Sequence, residues 1–312
     1  MQFTGLPETA VIREVAPRDG FQNVKEFIPT EKKLEFIDAL LSTGIRELEV
    51  TSFVSPKAIP QMSDATEVAK AVKRRHPETE LTALVPNLRG AQNAIAAGVD
   101  VLSIVFSCSE SHNMANIRRT VQQSLDGLDD IIALAKENGT KVCVSLTTAF
   151  MCPFEGRISP SRVVDIVEKV RAKSGVEMMT LAETIGTCPQ REFTETLKAV
   201  KPSLEGMPTY LHIHNTYGFA MMNTKCALDE GFNKFDTATG GLGGCPFAPG
   251  AAGNAATEDI VYMLESMGVK TGIDVLKVVE AARVMREYGL KTMSSLAASS
   301  FGRPAPAVPV QK

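Results

Sequence analysis

The run YLHIHNTYG, residues 210–218, spends two of the chain's four histidines on alternate positions, His212 and His214. In a strand, residues i and i+2 face the same side. Two imidazoles held together in this way can bind a cation or pass protons. A second stretch, Ala16-Pro17-Arg18-Asp19-Gly20, supplies Asp19 as a carboxylate partner. Two ring nitrogens, a carboxylate and an amide oxygen make a mixed N/O set that suits Mg²⁺ or Mn²⁺ and also accommodates other first-row metals. Arg18 is expected to point to the face opposite Asp19, putting positive charge where an oxyanion develops. Glu49, set between Leu48 and Val50, reads as a carboxylate inside a barrel mouth that must be paired or lie near a cation. The glycine-dense run GGLGGCPFAPGAAGN, residues 240–254, carries Cys245 on a loop able to bring a thiol over a bound substrate as a proton donor. Cys143 and Cys226 fit small buried hydrophobes better.

Elements able to hold these groups recur along the chain. Eight short β-rich runs are expected at 10–16, 45–51, 81–85, 101–106, 141–147, 177–182, 209–214 and 234–239. Helical periodicity lies between them, with Thr30, Ser63-Asp64 and Ser159-Pro160 as expected starts, and with further helices at 121–136 and 190–200. Eight strands, each followed by a helix, predict parallel pairing and a closed (β/α)8 TIM barrel, with an open doubly wound sheet as the rival. In such a barrel functional side chains gather at the C-terminal strand ends, where Asp19, Glu49, Thr184, His212 and His214 fall. Helical patterns at 258–267 and 273–288 predict a short C-terminal helical extension. One barrel domain, 1–300, is then followed by a Pro/Ala-rich flexible tail, 301–312.

Composition narrows the function classes. Of 312 residues 44% are hydrophobic and 22% charged, a balance that builds a large core, and no apolar run is long enough to span a membrane. A net charge of −3 with mixed signs leaves no nucleic-acid footprint, and Lys73-Arg74-Arg75 reads as a solvated helix end. The opening residues lack the basic and apolar regions of a secretory signal, so the six cysteines are expected as thiols in the cytoplasm.

Several motifs together resemble the 3-hydroxy-3-methylglutaryl-CoA lyase family. They are VAPRDGFQN (15–23), ELEVTSFVSPKAIPQMSD (47–64), CPFEGRISP (152–160), HIHNTYG (212–218) and the glycine run through GNAATEDIVYMLE (to 265). The resemblance implies a metal-dependent (β/α)8 carbon–carbon lyase acting on an acyl-CoA thioester, with a homo-oligomer admissible. It makes Asp19, His212, His214 and Asn254 ligands of Mg²⁺ or Mn²⁺, Arg18 the stabiliser of an enolate, Cys245 the loop acid and Glu49 a support. Gln22, Ser52, Asn116 and Thr184 become substrate-facing positions. Where these lyases read Gly-Asp-Thr-Ile-Gly and His-Cys-His-Asp, this chain has Glu183 and Asn215 in place of the aspartates. Those differences are expected to bear on substrate identity more than on reaction class. Alternatives are a lyase for another 3-hydroxyacyl-CoA, a condensing synthase of the same superfamily, and a non-catalytic binding barrel.

Overall fold

The structure is a computed structural model that describes residues 5–244, 253–299 and 301–302. Among these, eight parallel strands close into a barrel in sequential order: β1 (Val11–Glu14), β2 (Glu47–Ser52), β3 (Glu80–Leu84), β4 (Val101–Ser107), β5 (Lys141–Thr147), β6 (Met178–Glu183), β7 (Thr209–Ile213) and β8 (Lys234–Thr237). β8 returns to β1 with Val11 opposite Lys234 and Glu14 opposite Thr237. The fold is the expected (β/α)8 barrel; the open sheet is excluded by this closure.

Alternation within each strand sorts the side chains. Outward residues such as Leu48, Val50, Leu81, Ala83, Val142 and Val144 pack under the helices in one continuous apolar shell. Burial of this shell drives folding, at about 25 cal/mol per Å² of apolar surface. The inward set is different. Val101, Cys143, Met178 and Tyr210 close the lower barrel with a small apolar cluster. Higher in the barrel the strands present Arg13, Ser103, Ser145, Thr180, His212 and Asp236, joined by hydrogen bonds.

Helices α1 (Thr30–Leu41), α2 (Ala65–Arg75), α3 (Leu88–Ala96), α4 (Glu110–Ile117), α5 (Val121–Asp126), α6 (Leu128–Glu137), α7 (Pro160–Arg171), α8 (Gln190–Val200), α9 (Ala220–Asp229) and α10 (Thr257–Ser266) complete the units. Ser159 caps α7 as expected, accepting from the Arg162 N–H with Pro160 in the first turn. Thr30 does not cap α1. It is the first helical residue, and its hydroxyl donates to Asp64 instead. Asp64 in turn makes no cap bond, because its carboxylate is taken by Thr30 and the buried Lys33. The helix expected over 121–136 is broken at Gly127 into α5 and α6. Of the expected extension, α10 is the barrel's own eighth helix, and α11 (Val275–Glu287) and α12 (Ser295–Ala298) lie beyond it. No helix among the described residues is long and apolar enough to cross a membrane. Residues 303–312 of the expected tail lie outside the described residues.

Candidate active site

β1 ends at Glu14, and the chain then makes a single π-helical turn, Ala16–Gly20, that carries Arg18 and Asp19 over the barrel mouth. Turns of this kind recur at functional sites because the extra residue re-aims its neighbours. The turn is held from below by Glu14, which accepts from the Ala16 N–H at 2.9 Å. Two strands round the barrel from β1, β7 delivers His212, and His214 follows one residue past the strand, bridged to Asn254.

Four donor groups converge. The Nε2 atoms of His212 and His214 are 3.2 Å apart, and Asp19 Oδ2 lies 3.9 Å from His212 Nε2. Asp19, His212 and His214 each place a ligand atom within 4.8 Å of the other two, and all three are buried. Asn254 Nδ2 donates to Asp19 Oδ2 at 2.6 Å and to the Leu242 carbonyl at 2.8 Å, while its Oδ1 is buried with no hydrogen-bond partner among the described residues. Two ring nitrogens each about 2.1 Å from one ion at near-right angles are themselves roughly 3 Å apart. The spacing, the orphaned amide oxygen and the N/O composition therefore fit a divalent cation held by these four residues.

The electrostatics agree with that use. Burial alone would raise the Asp19 carboxyl, but Arg18, His212, His214 and Asn254 outweigh it and hold it at about 2. Burial, then His212 beside it, lower His214 to about 4, so its ring is neutral near pH 7 with a lone pair to give. Burial pushes His212 down, yet Asp236 and Asp19 raise it above its ordinary value.

Arg18 does not diverge from Asp19 as expected. In the π-helical turn, where strand alternation no longer applies, Arg18 Nη1 meets Asp19 Oδ1 at 2.5 Å, and its Nε and Nη2 reach Glu49 Oε2 at 2.7 and 2.6 Å. Glu49 thus acts on the cluster through Arg18, and Gln22 adds a further bond to Asp19 Oδ1 at 2.8 Å. One cavity of about 870 Å³ is lined by Arg18, Asp19, Gln22, Glu49, Ser52, Asn116, Thr184, His212 and His214. Ser52 Oγ is buried without a partner among the described residues, whereas Thr184 Oγ1 accepts from the Thr148 N–H. Asn116 is exposed at the rim on α4. Cys245 lies outside the described residues.

The family model described as HMGL-like matches residues 10–285. The chain belongs to the HMGL-like family. The cytoplasmic 3-hydroxy-3-methylglutaryl-CoA lyase of Rattus norvegicus is 39% identical over 301 residues, covering 96% of this chain and 87% of that protein. A hydroxymethylglutaryl-CoA lyase of Bacillus subtilis is 40% identical over 93% of this chain and 96% of its own length. Among solved structures, an HMG-CoA lyase from Acinetobacter baumannii in complex with coenzyme A and 3-methylmalate superposes with a TM-score of 0.87 at 38% identity, covering 99% of this chain and 100% of that one.

The two departures from the family pattern do not line the cavity. Glu183 is fully buried at the end of β6, with Oε1 turned to the Thr187 N–H, and burial pushes it up to about 7. Asn215 Oδ1 accepts from the Ala220 N–H at the start of α9. Both side chains support loops behind the site, so any bearing of theirs on the substrate is indirect. Cys188, in the loop after β6, is also buried outside the cavity, and burial raises its thiol far from any useful acid range.

Sequence reasoning passed over Arg13 and Asp236, which line the cavity, and Lys25 and Arg119, which bring positive charge to its exposed rim. A signal existed for the first two: each is a charge in the middle of a four-residue strand, VIRE and KFDT.

Proposed function

We propose that the protein cleaves 3-hydroxy-3-methylglutaryl-CoA to acetyl-CoA and acetoacetate, using a divalent cation, Mg²⁺ or Mn²⁺, held by Asp19, His212, His214 and Asn254. The observation that carries this reading is the convergence of Asp19, His212 and His214 beside Arg18 in one cavity, with Asn254 bonded to Asp19 behind them. The close relatives that bear the lyase name support it.

When bound, the cation supplies Lewis-acid polarisation of the substrate's oxygens. The chain's own residues do the rest. The C3 hydroxyl loses its proton to a base, C3 becomes the ketone of acetoacetate as the C2–C3 bond breaks, and the electron pair moves onto the thioester as an enolate. Arg18, already fixed by Glu49, lowers the energy of that oxyanion without reorganising. The Cys245 thiol returns a proton to C2, giving acetyl-CoA. Ser52, Gln22 and Thr184 orient the acyl portion. Lys25 and Arg119 at the rim fit the phosphates of the coenzyme. An acetyl-CoA release assay over a panel of 3-hydroxyacyl-CoA thioesters, with metal-stripped and Mn²⁺-reloaded protein, tests this. The reading fails if no thioester is cleaved, or if stripping leaves the rate unchanged. The cavity also carries the hydroxyls of Ser145, Thr147 and Thr180, so the panel includes acyl groups with a polar C3 substituent.

A further inference from the structure

Beneath the donor cluster lies a buried ion pair that the proposed chemistry does not use. Arg13, 3% exposed, sets its fork on Asp236, 4% exposed, with Nε to Oδ1 at 2.8 Å and Nη2 to Oδ2 at 2.9 Å. Nη2 also donates to Thr180 Oγ1 at 2.9 Å, and the guanidinium carbon lies over the Tyr210 ring, 4.1 Å from its centre. Asp236 Oδ2 in turn stands 3.3 Å from His212 Nδ1. Tyr210 and His212 are two residues apart on β7, so one guanidinium locks both the strand's lower ring and the carboxylate that faces its upper one.

A buried pair of this kind is a poor way to gain stability. Replacing such pairs with apolar groups is often neutral or stabilising, and the layer directly below is apolar already. Its geometry has a directional consequence instead. A carboxylate at Nδ1 selects the tautomer with the proton there, leaving the Nε2 lone pair facing Asp19 and His214. The bidentate fork fixes the carboxylate's plane, which a lysine cannot do.

We infer that Arg13 and Asp236 are positioning residues for His212: Arg13 orients Asp236, and Asp236 orients and fixes the tautomer of the His212 ring toward the cation. The inference rests on the cation reading above. It extends the site through the first and last strands of the barrel, from the donors to a residue with no access to the metal.

The test titrates metal-stripped protein with Mn²⁺ by calorimetry, without substrate, for wild type, Asp236→Asn, Arg13→Lys and Arg13→Gln. Loss of a partner that orients a metal-bound histidine weakens binding about 10–100-fold. Asp236→Asn should fall in that range and Arg13→Gln near its lower end, with Arg13→Lys no better than Arg13→Gln because charge without the fork does not orient. A merely structural role would lower the melting temperature and leave the Mn²⁺ Kd of the folded protein unchanged. Kd values within twofold of wild type in the folded variants overturn the inference while leaving the lyase reading intact. Wild-type protein that binds no Mn²⁺ overturns both. If Asp236→Asn does not fold, the two Arg13 variants carry the same comparison.

Discussion

Glu258 sits fully buried in the first turn of α10, both carboxylate oxygens 3.1–3.2 Å from the Gly240 N–H at the root of the glycine-rich loop. Burial is the largest influence on it. Ser294 and the backbone at Gly240 oppose burial only in part, and the carboxyl is raised from 4.5 to about 7. The folded protein therefore keeps a proton that the unfolded chain releases. Stability is greatest below about pH 4.5, falls as pH rises through about 7, and levels off above. At about 1.4 kcal/mol per pH unit the full loss is roughly 3 kcal/mol, of which about 2.5 kcal/mol falls between pH 5 and 8.5. Glu258→Gln keeps the shape and an acceptor for Gly240 but cannot ionise. Urea unfolding at about pH 5 and about pH 8.5, followed by far-UV circular dichroism, should show the variant gaining about 2.5 kcal/mol on the wild type between the two. A stability difference that is the same at both pH values would refute the reasoning, since every other titrating group is common to the two proteins.

The remaining predictions concern the site. His214→Ala should weaken Mn²⁺ binding and abolish turnover with the fold kept; unaltered metal stoichiometry and affinity would remove His214 from the ligand set. Arg18→Gln should lower kcat by about 10²- to 10³-fold, the scale of losing one oxyanion donor, and an effect on KM alone would make Arg18 a binding residue. Cys245→Ser should retain metal and substrate binding yet slow turnover strongly, because a hydroxyl is a far weaker acid than a thiol of reference value about 8.5. Cys188→Ser should leave the rate near wild type, and loss of turnover in that variant alone would reassign the acid.

The barrel was legible because its strands are short β-rich runs alternating with helical periodicity, and all eight expected runs match the observed strands to within two residues at either end. The grouping of Asp19, His212 and His214 was legible for a related reason: the two histidines share a face by period, and Asp19 lies just past the end of another strand. What sequence could not show was conformation outside the regular elements. The π-helical turn joins Arg18 to Asp19 where alternation would separate them. Thr30 and Asp64 are drawn from capping into a buried cluster with Lys33, a contact across more than thirty residues. The reach of Glu183 and Asn215 away from the cavity likewise depends on which loop each can satisfy.

The same buried polarity that hides from sequence reasoning is what gives the site its precision. Glu14, fully buried, accepts from the Ala16 N–H, the Thr239 N–H and hydroxyl, and the Thr257 hydroxyl. One carboxylate on β1 thereby fixes the start of the turn bearing Arg18 and Asp19, the segment entering the glycine-rich run, and the first residue of α10. Burial raises this carboxyl against the pull of its hydrogen bonds, so holding it charged works against stability. Arg13–Asp236 does for His212 what Glu14 does for Asp19. Two of the four donors, Asp19 and His212, are thus backed by an ionisable group deeper on β1 or β8, the pair whose register closes the barrel. A barrel closed by apolar residues alone would be easier to stabilise, but it would leave Asp19 and His212 free to turn, and a cation site tolerates little of that.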